Sequence, residues 1–179
     1  IAASSGNYAS YLLRDDGVVI RVVSGKITSE IRCDGTLKYV AISAGDSNSY
    51  FVREDGAVDR SKGSGKITST IPAPESAKYI DVAAGSDASY LLRSDGKIDR
   101  TKGNGVIHST MECSEEGVTY TAISPQAMGS ASQHHNTMTW QSYFVRSDGK
   151  VDKTSGGGEI QHTLESKFGP YIAASSGTQ

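Results

Sequence analysis

Gly45-Asp46-Ser47 has the makings of a nucleophile block, a serine on a glycine turn beside an acid. The same place in the chain reads Gly85-Ser86-Asp87 and Gly6-Asn7-Tyr8, so a turn between strands accounts for it. GSGKIT, residues 63–68, has part of a phosphate-cradling loop. That loop needs glycine where Arg60 stands and serine or threonine where Ile67 stands. The segment recurs as GNGVIH (103–108) and GGGEIQ (156–161), again as a turn. Asp16, Asp55, Asp95 and Asp148 suggest calcium, yet each turn carries one or two acids where a calcium loop gathers six or more oxygens. Arg14, Arg53, Arg93 and Arg146 recur, as do Asp59-Arg60, Asp99-Arg100 and Asp152-Lys153. That spacing fits an anion-binding ring of arginines or, more simply, an Arg–Asp pair across each hairpin. His134 and His135 are adjacent and point to opposite sides of an extended chain, with no Cys, Asp or Glu in the same segment, which is not metal-ligand spacing. No paired catalytic acids and no cofactor loop remain. The chain therefore reads as a non-enzymatic protein without a cofactor.

What these residues share is their place in a repeat. SYLLRSDGKIDR (89–100) returns as SYFVREDGAVDR (49–60), SYLLRDDGVVIR (10–21) and SYFVRSDGKVDK (142–153). The units run 1–39, 40–79, 80–120 and 121–171, and IAASSG at 172–177, identical to residues 1–6, starts a fifth (172–179). Each unit reads as four short strands. In the third, YIDVAA alternates and is followed by Gly85, then SYLLR, then Asp95-Gly96, a hairpin signal that calls for positive φ at both turn residues. KIDR, a glycine-rich turn and VIHSTM complete the unit. Tandem four-stranded antiparallel units of about 40 residues predict an all-β fold, a β-propeller. One blade cannot bury both faces of its sheet, and stacked blades can. Leu13, Val52, Leu92 and Val145 are then core. Tyr11, Tyr50, Tyr90 and Tyr143, with Tyr39, Tyr79, Tyr120 and Tyr171, pack between sheets, each hydroxyl with a partner. The chain opens on Ile1 rather than Met and closes on the start of a further unit, which favours a piece of a longer array.

At VAAGSDASYLLRSDGKI (82–98) the chain resembles the RCC1-like repeat family, with Gly85, Ser89, Leu92, Asp95 and Gly96 on that family's pattern. Gly45, Ser49, Asp55 and Gly56 fit in the second copy, and Gly6, Ser10, Leu13, Asp16 and Gly17 in the first. The family's His before the serine is replaced by Ala88, Asn48 and Ala9, and DRTKGNG stands in place of its W-G and G-Q-L-G signature. The resemblance covers the first half of every unit. It implies a propeller, in a family whose propellers usually have more blades than these four units. It carries over neither nucleotide exchange nor chromatin binding.

A net charge of −2 gives no sign of a nucleic-acid backbone as partner, so none is expected, and no apolar run is long enough to span a membrane. Cys33 and Cys113 fall at equivalent places in non-adjacent units, so they are expected as free thiols, which favours a reducing compartment. One feature breaks the repeat. Five residues separate Ser43 from Ser49, whereas seventeen separate Ser124 from Ser142. The excess, in PQAMGSASQHHNTMTWQ (125–141), holds the only Trp and two of the three Met. Long loops on a rigid scaffold carry binding, and Trp and Met are enriched at interface centres. Met128, His134, His135, Met138 and Trp140 are therefore the candidate contacts for a protein partner. The alternative is a lectin-like propeller that binds glycans once per repeat through equivalent Tyr, Asp and Asn or Ser groups.

Overall fold

Glycine enters the left-handed backbone region at little cost, and one such glycine turns the chain at the centre of each unit. In the computed structural model, which describes residues 2–85, 88–124, 127–128, 140–155 and 157–174, Gly17, Gly56, Gly96 and Gly149 have φ of 81°, 91°, 78° and 80°. The aspartate before each is not left-handed. The turn thus differs from the expected one in which both residues have positive φ. Arg14 N–H donates to Val18 O at 3.0 Å and Gly17 N–H to Arg14 O at 3.1 Å, the signature of a right-handed turn closed by a glycine bulge. The aspartate decides this. Its carboxylate accepts the amide two residues on, Val18 to Asp16 at 3.1 Å and Ala57 to Asp55 at 3.1 Å, which needs the extra residue.

Four antiparallel sheets follow in chain order. The first holds β1 (Ala2–Ser5), β2 (Ser10–Leu13), β3 (Val19–Val23) and β4 (Lys26–Ile31). The second holds β5 (Tyr39–Ala44), β6 (Asn48–Arg53), β7 (Val58–Lys62) and β8 (Ile67–Ile71). The third holds β9 (Tyr79–Ala84), β10 (Ala88–Arg93), β11 (Ile98–Lys102) and β12 (Ile107–Met111). In the fourth, β13 (Tyr120–Ile123), β15 (Trp140–Arg146), β16 (Val151–Thr154) and β17 (Ile160–Leu164) repeat the pattern, and β14 (Ala127–Met128) pairs with the start of β15. No helix occurs among the described residues, so none is long and apolar enough to cross a membrane. The start of the expected fifth unit behaves differently from its twin. Residues 172–174 form no strand, although Ala2 and Ala3, the same residues in the first unit, do.

The sheets stack face to face, first on second, second on third and third on fourth. Among the described residues no extensive contact joins the first sheet to the fourth, so the stack is an open arc. Leu13, Val52, Leu92 and Val145 are buried, as the repeat predicted. Tyr11 meets Phe51 edge-on at 5.3 Å across the first joint, and Tyr90 meets Phe144 at 5.0 Å across the third. Cys33 and Cys113 are both free.

Candidate interaction surface

In the second, third and fourth blades a buried carboxylate on the face toward the preceding blade ties the strands of its own blade together. Asp59 accepts Tyr39 OH at 2.7 Å and Thr70 Oγ1 at 2.6 Å, and Arg53 Nη1 stands 3.9 Å away. Asp99 repeats this with Tyr79 at 2.7 Å, Thr110 at 2.6 Å and Arg93 at 3.7 Å. Asp152 repeats it with Tyr120 at 2.9 Å, Thr163 at 2.7 Å and Arg146 at 3.5 Å. A carboxylate with three such partners tolerates burial that an unpaired one would not. Burial, and then the bond and charge of the carboxylate, push the Tyr39 and Tyr79 hydroxyls far above the usual phenol range, so they remain donors.

The recurring arginines are thus the expected Arg–Asp pairs, but they are more sheltered than a surface pair. Arg146 is only 2% exposed and also bonds Asp148 at 2.6 Å and Glu115 at 2.8 Å. The turn aspartates spend their oxygens on these guanidiniums and on backbone amides. Among the described residues no three His, Cys, Asp or Glu side chains come together as a metal site. The second arginine row does something else. Arg21 donates to Gly63 O at 2.5 Å, and Arg60 donates to Asn48 Oδ1 at 2.6 Å and to Gly103 O, so each straps its sheet to the next. A register shift between Arg60 and Ser61, repeated in every unit, aims that side chain across the joint.

Backbone contacts close the narrow end of the arc. Ser4 Oγ accepts Ala44 N–H and Ser43 Oγ accepts Ala84 N–H, both at 2.9 Å. At the third joint Ala83 stands where those serines do. In the sequence the matching donor position is Pro125, which has no N–H, so donor and acceptor are lost together. A Cβ on Gly6 would lie 2.3 Å from Gly45 O, and one on Gly45 2.9 Å from Gly85 O, so these backbones abut.

Two expectations fail here. Tyr50 reaches Thr101 Oγ1 at 3.4 Å, but the hydroxyls of Tyr11 and Tyr90 are buried with no partner among the described residues. The sugar-binding alternative loses its groups, because Tyr50, Tyr90, Asp59 and Asp99 are all interior. They hold blades together, and no sugar can reach them.

The fourth unit departs from this framework at the insertion. Three units turn tightly after their first strand, with Gly6 N–H bonded to Ala9 O at 3.0 Å, Gly45 to Asn48 at 2.9 Å and Gly85 to Ala88 at 3.1 Å. In the fourth unit the ladder continues past the sheet, pairing Ala127 with Gln141 and Met128 with Trp140. The insertion therefore leaves and re-enters on an antiparallel stem. Met128 and Trp140 are brought together as backbone partners. His134, His135 and Met138 lie outside the described residues.

The stack matches known structures. The crystal structure of human WBSCR16 superposes with a TM-score of 0.73 at 11% identity, over 99% of this chain and 56% of that one. The fold is that of a β-propeller. BBS1N in complex with ARL6DN superposes at 0.67 and 13% identity, over 91% of this chain and 53% of that one. Raptor from Chaetomium thermophilum does so at 0.67 and 14%, over 95% of this chain and 17% of that one. The chain spans about half the length of the first two. At these identities the likeness concerns the fold. No protein-family model matches the sequence, and no curated protein matches it either.

Proposed function

We propose that the chain is a non-enzymatic propeller scaffold of RCC1-like type that holds another protein through its 125–141 insertion. The observation that carries this reading is the β14–β15 stem. Three units end their first strand in a tight turn, and the fourth uses the same place to send out a long segment on a paired base. A long insertion on a framework of packed blades suits recognition, since the scaffold lowers the ordering cost of binding. The repeated Tyr, Asp and Arg groups support the same reading, because they are consumed in joints and aim at no common reaction centre. One neighbour of the same fold, BBS1N, is itself held in a complex with ARL6DN.

The test replaces 125–141 with the five-residue turn 44–48, with circular dichroism to confirm the sheet. Proteins captured by the intact chain should be lost with the insertion, and Trp140→Ala alone should weaken the capture. Equal capture by both forms would refute the reading.

A further inference from the structure

The three joints use one set of groups, and the two open faces of the arc differ in whether they carry it. Across a joint, the leading face presents a tyrosine of the second strand, Tyr11, Tyr50 or Tyr90. The trailing face of the next blade answers with Phe51, Leu91 or Phe144, with the aspartate directly opposite it, Asp59, Asp99 or Asp152, and with a hydroxyl two residues on, Ser61, Thr101 or Thr154. The aspartate is completed by the tyrosine that opens the blade's first strand.

The leading face of the fourth blade keeps this set. Tyr143 occupies the place of Tyr11, Tyr50 and Tyr90, but it is half-buried where they are at most 1% exposed. Tyr171 donates its amide to Gly149 O at 2.9 Å, as Tyr39 does to Gly17, Tyr79 to Gly56 and Tyr120 to Gly96. It is thus seated to open another blade. Its ring is 38% exposed, and its hydroxyl has no partner among the described residues. The trailing face of the first blade does not match. Leu12 is 42% exposed, Ile20 stands where the aspartate belongs, and Val22 stands where the hydroxyl belongs. Glu30 replaces the threonine and is held by Arg32 at 2.6 Å and Arg14 at 3.6 Å. Ile20 cannot accept a tyrosine proton, so this face offers Tyr171 nothing.

We propose that the open face of the fourth blade is a docking surface for one further blade of this repeat, one whose third strand carries an aspartate followed two residues later by serine or threonine. The Tyr171 hydroxyl donates to that aspartate, and the Tyr143 ring is buried under that blade's second strand. The first blade of another copy is not the occupant. This inference is independent of the role of 125–141.

The test replaces residues 172–179 with a second copy of 40–79, so that Tyr171 precedes Val40 as Tyr39 does. A parallel graft uses 1–39, and a third uses 40–79 with Asp59→Ile in the added copy alone. The readouts are protease resistance of the graft and amide exchange in β15 and at Tyr171. The 40–79 graft should be resistant and should slow exchange by at least tenfold at both places, while the other two grafts remain cleavable and leave exchange unchanged. A cleavable 40–79 graft, or equal docking of either control, would overturn the proposal. Sedimentation of the unaltered chain should show a monomer. A dimer dispersed by Tyr143→Glu would overturn it too, since the first blade's face would then suffice.

Discussion

Tyr79→Phe removes a single oxygen from the second joint. That oxygen donates to Asp99 Oδ2 at 2.7 Å in a buried setting. A hydrogen bond to a charged group contributes about 1.5–3 kcal/mol. Asp99 keeps Thr110 at 2.6 Å and Arg93 at 3.7 Å, so it is left short of one partner and not stranded, and the cost falls near 2 kcal/mol. For a domain of this size that lowers Tm by about 4–8 °C. Tyr90→Phe is the internal control. Its ring is equally buried, but its hydroxyl has no partner among the described residues, so its removal relieves an unmet polar group and leaves stability unchanged or raises it by about 1 kcal/mol. Thermal and urea unfolding followed by circular dichroism would measure both variants. If Tyr79→Phe costs no more than Tyr90→Phe, the carboxylate clusters do not hold the blades and the reasoning fails.

Three further outcomes follow from the same geometry. Ser43→Ala leaves the Ala84 amide unpaired inside a joint and should cost about 1–3 kcal/mol in urea unfolding, whereas Ala83→Gly, which removes no acceptor, leaves that bond intact. Burial holds the Asp81 carboxyl above its ordinary 3.8, against the pull of the Val82 amide, so its charge burdens the fold at neutral pH and a proton lifts the burden as pH falls. Asp81→Ala, matching Ala41 and Ala122, should therefore stabilise the chain at neutral pH and lose that gain below pH 3.8 in pH-resolved thermal scans. Burial pushes Asp95 up, but the Arg93 guanidinium and the Lys97 amide outweigh it and leave the carboxyl below 3.8. Its contribution is present above that pH and lost as pH falls through the lowered value, so Asp95→Asn should flatten the acid limb of the stability curve.

The insertion was the most legible part of the candidate surface, because a seventeen-residue spacing stands out against one of five. Its stem was not legible. Ala127 and Met128 have no strand pattern of their own, and they pair only because β15 extends past its sheet to meet them. The six tyrosines inside the joints were legible as interior, but Tyr143 and Tyr171, expected there too, stand at the open face, and which hydroxyls are satisfied was not legible. Tyr79 and Tyr90 look alike in a repeat pattern. One donates its hydroxyl to a carboxylate of its own blade, and the other has a buried hydroxyl with no partner among the described residues.

By itself the sequence determined the local structure. Alternating apolar residues choose strands, Asp-Gly chooses where they turn, and a fourfold recurrence chooses stacked blades, since each is a choice made over a few residues. Only the tertiary structure decided the roles of the charges. Asp55 and Asp59 are four residues apart and equally acidic in the sequence, yet one faces the turn and the other sinks beneath Tyr39, twenty residues earlier in the chain. Arg60 and Gly103 meet across forty-three residues. The first contact needs the whole sheet assembled and the second needs two sheets face to face, because tertiary packing, and not local propensity, sets which side chains lose water together.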